Sequence, residues 1–265
     1  MKSAAQVRAQ VEAALGLGFP SPFTLREARA PKLVPSGFAA VDALTGGLPR
    51  SSLTEISGPP SSGRTALELG LLASLTTQGE ACALIDAEDA LDPASALAAG
   101  VALDRLLWVR CHGLEQALRA ADLLLGAGGF GAVVLDLADV PARRTRRVPL
   151  SYWFRFRRAV ENTPTVLALI DEEPCAQSSA SLVLRLETES VEWSAAADEV
   201  ESRKAKIESL KFQIPNSLAH ARLLQEIRWR ADVVRNRNAI RKFPISNFQF
   251  RLAISNRRLS IVNHQ

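Results

Sequence analysis

Short apolar runs alternate with helical patterns through the middle of the chain. Five runs of six to eight residues have the composition of buried strands, and they occupy residues 53–58, 81–87, 106–111, 131–138 and 165–171. Apolar positions at helical spacing lie between these runs, at about 64–78, 93–99, 113–126 and 151–162. This alternation predicts an α/β fold with a mostly parallel central sheet and helices on both faces.

The pattern changes after residue 171. Residues 181–187 and 230–237 predict two further strands. Residues 248–255 and 258–263 predict a C-terminal antiparallel hairpin that turns at Asn256 and Arg257. The sheet is therefore expected to end in antiparallel strands.

These patterns divide the chain into four segments. We expect an N-terminal helical arm and linker at 1–30, with its amphipathic helix at 4–16, and a core at 31–187. Residues 188–229 are polar with apolar positions at helical spacing, and they predict a helical insertion. That insertion either packs on the core or serves as a partner-binding arm. Residues 230–265 would supply strands that complete the core.

Composition excludes several classes of protein. Of 265 residues, 47% are hydrophobic and 23% are charged, which excludes disordered and fibrous chains. The start of the chain lacks the apolar stretch of a signal peptide, and no apolar run reaches the ~18 residues of a membrane span. The three cysteines form no CxxC pair, which favours a reducing compartment. We expect a cytoplasmic protein without a membrane partner.

Positive charge is concentrated in two places. Residues 201–265 carry a net charge of +10, whereas residues 1–200 carry −6. Within the acidic part, residues 141–160 hold seven arginines and no acid. Two basic patches favour a polyanionic partner such as nucleic acid, although a solvated charged surface has the same composition.

A glycine-rich sequence follows the first strand. It has the spacing of a Walker A phosphate loop, with Arg64 where lysine is usual, and it lies between a strand and a helix. Its backbone N–H groups would converge on phosphate oxygens, Thr65 would bind Mg²⁺, and Arg64 would sit on the β and γ phosphates. The residues that would bind the nucleotide are Gly58, Pro59, Pro60, Ser61, Ser62, Gly63, Arg64, Thr65 and Ala66. We call residues 58–65 the candidate phosphate loop.

Three separated motifs occur in a familiar order. GLPRSSLTEISGPPSSGRT at 47–65, LIDAEDALDP at 84–93 and AVVLDLADVP at 132–141 together resemble the RecA family of DNA-dependent ATPases. The likeness extends over about residues 36–187 and again over 230–252. It implies a RecA-like P-loop core that uses ATP and Mg²⁺.

The resemblance also implies roles for particular residues. Glu88 would be the catalytic glutamate that orients or deprotonates the attacking water, with Arg64 as the other catalytic group. Asp136 would be the Walker B aspartate that holds Mg²⁺, and Asp92 would contact adenine. The segment 231–238 would supply cations that reach a neighbouring subunit's ATP, namely Arg235 and Arg237. Without the motif context, buried acids could instead cap helices, and these arginines could be plain surface charges.

The sequence departs from the family pattern at several positions. Ser95 stands where an aromatic side chain would stack on adenine, and Glu172 replaces a glutamine that senses the γ-phosphate. Only a short segment lies between Glu172 and Ser181, where RecA proteins have a long DNA-binding loop. The equipment for strand exchange is therefore reduced, and the sequence leaves open whether ATP is hydrolysed.

A second DNA-facing loop of the family corresponds to residues 138–150. It carries four arginines that we expect to contact single-stranded DNA: Arg143, Arg144, Arg146 and Arg147. Aromatic residues follow at 152–156, and helical spacing favours a core position for them over base stacking.

A shortened RecA-like core with altered catalytic positions resembles the ImuA group, which are accessory proteins of bacterial translesion synthesis and the SOS response. This likeness implies a DNA-repair protein partner, either polymerase-associated or a recombinase. The N-terminal arm at 4–16 resembles the RecA element that packs on the adjacent subunit, and this resemblance implies self-assembly. Two alternatives stay open: a DNA-stimulated ATPase of recombination, and a pseudo-ATPase scaffold.

Overall fold

The computed structural model describes residues 31–193, 224–237, 248–255 and 258–262. Six α-helices lie in these ranges: α1 Ala39–Thr45, α2 Arg64–Thr76, α3 Pro93–Ala98, α4 Leu114–Ala127, α5 Ala142–Thr145 and α6 Leu150–Val160. The strands are β1 Leu33–Val34, β2 Leu48–Pro49, β3 Ser52–Ser57, β4 Cys82–Asp86, β5 Leu106–Arg110, β6 Ala132–Asp136, β7 Val166–Asp171, β8 Leu182–Trp193, β9 Leu224–Asn236, β10 Phe248–Ser255 and β11 Arg258–Val262. The predicted helix at 4–16 lies outside the described residues.

Nine strands form one mixed sheet in the order β11-β10-β9-β8-β3-β7-β6-β4-β5. Strands β8, β3, β7, β6, β4 and β5 are mutually parallel, as the alternation of strand and helix predicted. Strands β9, β10 and β11 extend the sheet in antiparallel pairs. The C-terminal hairpin is confirmed, since Ser255 pairs with Arg258 across its turn.

The core lies on both faces of the sheet. Alternate residues of a buried parallel strand point to opposite faces. On one face, Ile56 and Leu84 pack with the apolar side of α2, including Leu71 and Leu72. On the other face, strand residues pack against α4 and α6. The predicted α/β class with helices on both faces is confirmed.

The segment predicted as a helical insertion begins and ends differently from our expectation. Residues 188–193 continue β8, and residues 224–229 begin β9, so both ends of the 188–229 segment are strand rather than helix. Thr188 and Trp229 pair directly across these strands. Extended pairing satisfies the backbone hydrogen bonds of both segments at once, and spacing within one segment does not reveal such pairing. Residues 194–223 lie outside the described residues.

All three cysteines lie in the described core and none forms a disulfide. Burial is the largest cause that raises the pKa of each thiol, to about 11 for Cys82. Nearby carboxylates also contribute, because they repel a thiolate: Glu80 at Cys82, Asp86 at Cys111, and Asp171 with Glu55 at Cys175. The thiols are therefore held in the protonated form.

Candidate functional site

The candidate phosphate loop connects β3 to α2, the arrangement that its sequence predicted. Gly63 precedes the helix with φ +91°, and its carbonyl accepts a 3.0 Å hydrogen bond from the N–H of Leu67. Helix α2 thus begins at Arg64, and its first N–H groups have no partner within the helix. Such a helix terminus favours an anion.

Both glycines of the loop are required by close packing. A Cβ atom at Gly58 would lie 2.3 Å from the carbonyl oxygen of Leu186 and 2.5 Å from Ser62 Oγ. At Gly63 a Cβ atom would lie 2.9 Å from the indole of Trp229, in addition to the positive φ. Strands β8 and β9 therefore pack directly against the loop.

Arg64 is buried at the start of α2. Arg64 is only 7% exposed, and its Nη1 has no hydrogen-bond partner among the described residues. A buried guanidinium nitrogen without a partner carries a large desolvation cost, which a bound anion would offset. The next residue, Thr65, is exposed at the helix terminus, and Ala66 is half-buried.

Carboxylates line the edge of the sheet that faces this loop. Strands β4, β6 and β7 end in Asp86, Asp136 and Asp171, and Asp86 is the register partner of Asp136. Asp171 Oδ2 is buried and has no hydrogen-bond partner among the residues that the structure describes. The backbone carbonyl of Asp171 accepts a 3.3 Å hydrogen bond from the N–H of Gly58. The loop and the strand-end acids are therefore contiguous.

The pKa of Asp136 is raised to about 6, chiefly by burial and also by the negative charges of Asp86 and Asp139. A 2.9 Å hydrogen bond from the N–H of Ala138 and the charge of Arg64 lower it. Asp136 was predicted to hold a metal ion at this position. Its raised pKa indicates that the folded chain stabilises the ionised carboxylate poorly, and the metal-binding role stays a prediction.

Glu68 is a site residue that our sequence reasoning missed. It lies one turn after Arg64 on α2 and is only 2% exposed. Its charged neighbours are the acids that end β4 and β6, together with Arg64. Burial raises its pKa well above the usual range, Asp136 and Asp86 raise it further, and Arg64 opposes them. An acid four residues after the loop arginine, within an otherwise apolar helix, is the sequence signal that could have found it.

Glu88 and Asp92 lie in the segment that follows β4. Glu88 is exposed two residues beyond the strand. Asp92 caps α3, since its carboxylate accepts hydrogen bonds from the N–H groups of Ala94 and Ser95 at 3.2 and 2.9 Å and from Ser95 Oγ at 2.6 Å. Asp92 and Ser95 are therefore hydrogen-bonded to each other. These are the two positions that the resemblance places at the adenine.

The four arginines at 143–147 lie on and just after the short helix α5, and not on an irregular loop as we expected. All four are exposed. Arg146 forms an ion pair with Glu173, and Arg144 Nη2 lies 4.0 Å from the position of a Cβ at Gly113. Because α5 follows β6, it stands at the same edge of the sheet as the candidate phosphate loop.

The aromatic residues of α6 divide between core and surface. Trp153 and Phe156 are buried, which confirms a core position for these two. Phe154 is 45% exposed. Tyr152 is half-buried beneath the guanidinium of Arg155, whose Cζ lies 4.6 Å from the ring centroid.

The turn after β7 is held from inside the sheet. Glu55 Oε1, on β3, accepts hydrogen bonds from the N–H groups of Cys175 and Ala176 at 2.6 and 2.7 Å. Glu172 lies at the start of this turn and is half-buried. From β9, the guanidinium of Arg235 donates to the carbonyl of Gln177, and the backbone N–H of Arg237 donates to Ser181.

Two further contacts on the loop were also missed by sequence reasoning. Thr188 Oγ1 and Trp229 Nε1 both donate to the carbonyl oxygen of Ser61, at 2.8 and 3.1 Å. Their approach depends on the register of β8 with β9, which the sequence patterns of the separate strands do not specify.

The fold is that of an α/β protein whose mostly parallel sheet is extended by antiparallel strands. A glycine-rich loop follows strand β3 of this sheet. A family model described as the RecA N-terminal domain matches residues 5–145, more than half of the chain, and the chain therefore belongs to the RecA family.

Individual relatives agree with the family model. The chain is 44% identical over 113 residues to Protein RecA of Arthrobacter sp. (strain FB24), a match that covers 42% of this chain and 32% of the relative. It is 39% identical over 137 residues to Protein RecA of Rickettsia bellii (strain RML369-C), covering 51% and 40%. It is 42% identical over 130 residues to Protein RecA of Rhodospirillum centenum, a match that covers 48% of this chain and 36% of the relative. The chain thus matches well under half the length of these relatives.

Within the described ranges, no helix has the length and apolar character needed to cross a bilayer. In the same ranges, no group of three or more His, Cys, Asp or Glu side chains is arranged to hold a metal ion.

Proposed function

We propose that this chain is a RecA-like ATP-binding accessory protein of bacterial DNA repair, of the ImuA kind, with weak or absent ATP hydrolysis. The observation that carries the proposal is the buried Arg64 at the start of α2, directly after a glycine-rich loop in a RecA-family core. Its Nη1 has no hydrogen-bond partner within the part of the chain that the structure describes. A cytoplasmic location accompanies this function.

The residues present fit an anionic ligand. The N-terminus of α2 and the Nη1 atom of Arg64 are donors without described partners, and phosphate oxygens accept from such groups. The residues that would hold ATP are those of the loop, Gly58–Ala66, with Asp92 at the adenine. Thr65 and Asp136 would hold Mg²⁺, which would neutralise charge on the β and γ phosphates. Glu88 would orient or deprotonate the attacking water.

Three features support slow chemistry. Arg64 is a planar guanidinium where a lysine usually supplies a compact charge. Glu68 adds a buried acid beside the loop, and Glu172 adds a half-buried acid after β7. Where they are ionised, carboxylates at these places disfavour the charge that accumulates on the phosphates during transfer.

Single-stranded DNA is the nucleic acid that we assign to the arginines at 143–147. Exposed cations at the edge of the sheet can track a phosphate backbone. The short turn that joins β7 to β8 supports a role in which the chain binds DNA or a recombinase filament without exchanging strands. A polymerase-associated or recombinase partner, self-assembly, and contacts from Arg235 and Arg237 to a neighbouring ATP belong to the same proposal.

A DNA-stimulated ATPase of recombination is the second candidate. The exposed position of Glu88 beyond β4 favours it, since a carboxylate there is free to meet a water molecule. A pseudo-ATPase scaffold is the third candidate, and the buried Glu68 beside Arg64 favours it.

ATP hydrolysis by the purified protein, across a titration of single-stranded DNA at low salt, separates these candidates. The Glu88→Gln variant serves as the blank, and equilibrium binding of Mg-ATP is measured in parallel. We expect Mg-ATP binding with turnover close to the blank. DNA-stimulated turnover that Glu88→Gln abolishes would establish the ATPase, and loss of Mg-ATP binding at millimolar concentration would establish the scaffold.

A further inference from the structure

The carbonyl oxygen of Ser61 in the candidate phosphate loop is bound by two side chains from outside the loop. It accepts hydrogen bonds from Thr188 Oγ1 at 2.8 Å and from Trp229 Nε1 at 3.1 Å. Thr188 and Trp229 are register partners on β8 and β9, so the two donors come from adjacent positions of one antiparallel pair. Both lone pairs of this carbonyl are thereby used by side chains from outside the loop.

The same pair of strands also shapes the loop by packing. Trp229 is buried against Gly63, where even a methyl group would lie within 2.9 Å of the indole. Ser61 itself has φ +64°, a conformation that costs energy for a residue with a side chain. The contacts from β8 and β9 offset that cost.

Holding the Ser61 carbonyl also orients the next N–H group. In a trans peptide the C=O of Ser61 and the N–H of Ser62 point in opposite directions. With the carbonyl bound on the β8–β9 side, the N–H of Ser62 points across the loop, where it donates to the carbonyl of Pro59 at 3.2 Å. The Ser61–Ser62 peptide is thereby fixed at both its carbonyl and its N–H before any ligand binds.

We propose that Thr188 and Trp229 are positioning residues that hold the candidate phosphate loop ready for a nucleoside di- or triphosphate. This inference rests on the proposed function. The N–H groups of the loop are oriented before the ligand arrives, so less ordering has to accompany binding. Occupancy of the loop and the conformation of β9 are therefore coupled.

The coupling has a second contact along the same strand. Six residues after Trp229, Arg235 donates to Gln177 in the turn that follows β7. One strand thus touches both the phosphate loop and that turn. Binding of a phosphate ligand at the loop would alter the environment of the Trp229 indole directly.

Matched variants separate the hydrogen bonds from simple packing. Thr188→Val keeps the shape and removes the donor, whereas Thr188→Ser keeps the hydroxyl. Trp229→Phe keeps an aromatic ring against Gly63 and removes the N–H. Trp153→Phe is its control, because Trp153 is a buried indole whose Nε1 has no partner among the described residues.

Amide hydrogen exchange at residues 58–65 is measured without ligand, and the Kd for Mg-ADP is measured by calorimetry. We expect Thr188→Val with Trp229→Phe to exchange at least tenfold faster and to bind Mg-ADP about tenfold more weakly. Thr188→Ser and Trp153→Phe should match the parent in both measurements. Equal exchange and equal Kd in all variants would overturn the proposal.

Tryptophan emission supplies a signature that a purely structural role would not change. Mg-ADP should alter the emission of the parent and of Trp153→Phe, and this change should fall by at least half in Trp229→Phe. If Mg-ADP binds and the change is equal in all three proteins, Trp229 does not sense the loop. If the parent does not bind Mg-ADP at all, the proposed function fails, while exchange of the empty loop still decides whether the two residues hold it.

Discussion

Arginine occurs in two contrasting settings in this molecule, inside the candidate phosphate loop and on the short helix α5. Arg64 is buried among the carboxylates that end the parallel strands, whereas the arginines of α5 are exposed. A buried cation is weakly screened and tolerates only a ligand of matching charge and shape. Exposed cations bind polyanions loosely and in proportion to their number. The sum of charges in the sequence does not distinguish these roles.

The largest expected effect tests the buried side of this contrast. Arg64→Ala removes the guanidinium beside the loop and should weaken Mg-ADP binding by more than about a hundredfold, since an unpaired partner charge is costly when buried. Calorimetry on the folded variant provides the measurement. Arg105→Ala, which removes an exposed arginine, is the control and should bind like the parent. An affinity for Arg64→Ala within threefold of the parent would contradict a role of Arg64 in phosphate binding.

Asp136 provides a pH test of the same buried edge. Its pKa is raised from 3.8 to about 6 in the folded chain, so between these values the folded state binds more protons than the unfolded state. Its contribution to stability is therefore full below pH 4 and is lost as the pH rises through 6. Asp136→Asn mimics the protonated group and should gain up to about 3 kcal/mol over the parent between pH 4 and 7.

Chemical unfolding of both chains at pH 4, 5.5 and 7, without nucleotide, measures this gain. Asp104→Asn removes an exposed carboxylate and should show no comparable trend. A constant difference between Asp136→Asn and the parent at all three values would mean that Asp136 has its ordinary pKa.

Glu68 tests the buried site with an acidic group instead of an arginine. Glu68→Gln preserves the shape of the side chain and removes the carboxyl group beside Arg64. Because the raised pKa of Glu68 favours its protonated form, Mg-ADP should bind the variant and the parent alike at low pH, and it should bind the variant up to about tenfold more tightly once the pH is high enough to ionise Glu68 in the parent. Glu115→Gln, on the first turn of α4, changes the net charge equally and should have little effect. Weaker binding in Glu68→Gln would show that the acid supports the site instead of opposing it.

The smallest expected effect lies on the exposed side. Arg143→Gln with Arg144→Gln should weaken binding of a short single-stranded DNA about fivefold near 0.1 M salt. The slope of log K against log salt should decrease by about 1.4, at about 0.7 for each lost phosphate contact. Arg146→Gln should change both values less, because this guanidinium is paired with Glu173. An unchanged slope in the double variant would show that the arginines of α5 do not contact the DNA phosphates.

Local patterns were sufficient to predict the parallel sheet and the loop at its edge. The strand ending at Ser57, the loop glycines and the start of α2 all lie within one short segment, so spacing alone places them. Trp229 and Thr188 reach Ser61 only because β8 and β9 pair in one particular register. The charge environment of Glu68 likewise depends on two strands, β4 and β6, whose last residues Asp86 and Asp136 meet at the same edge. Contacts of this kind form between distant segments, and no periodicity records them.

The protonated, buried cysteines make the native chain a favourable background for site-specific chemistry. Thiol reagents attack the thiolate, so Cys82, Cys111 and Cys175 should stay unmodified by a maleimide while the core is folded. A single cysteine introduced at the exposed Ser151, on the first turn of α6, would then be the attachment point for a fluorescent dye. The same three thiols become reactive when the core opens, so their modification rate would report unfolding without any added probe.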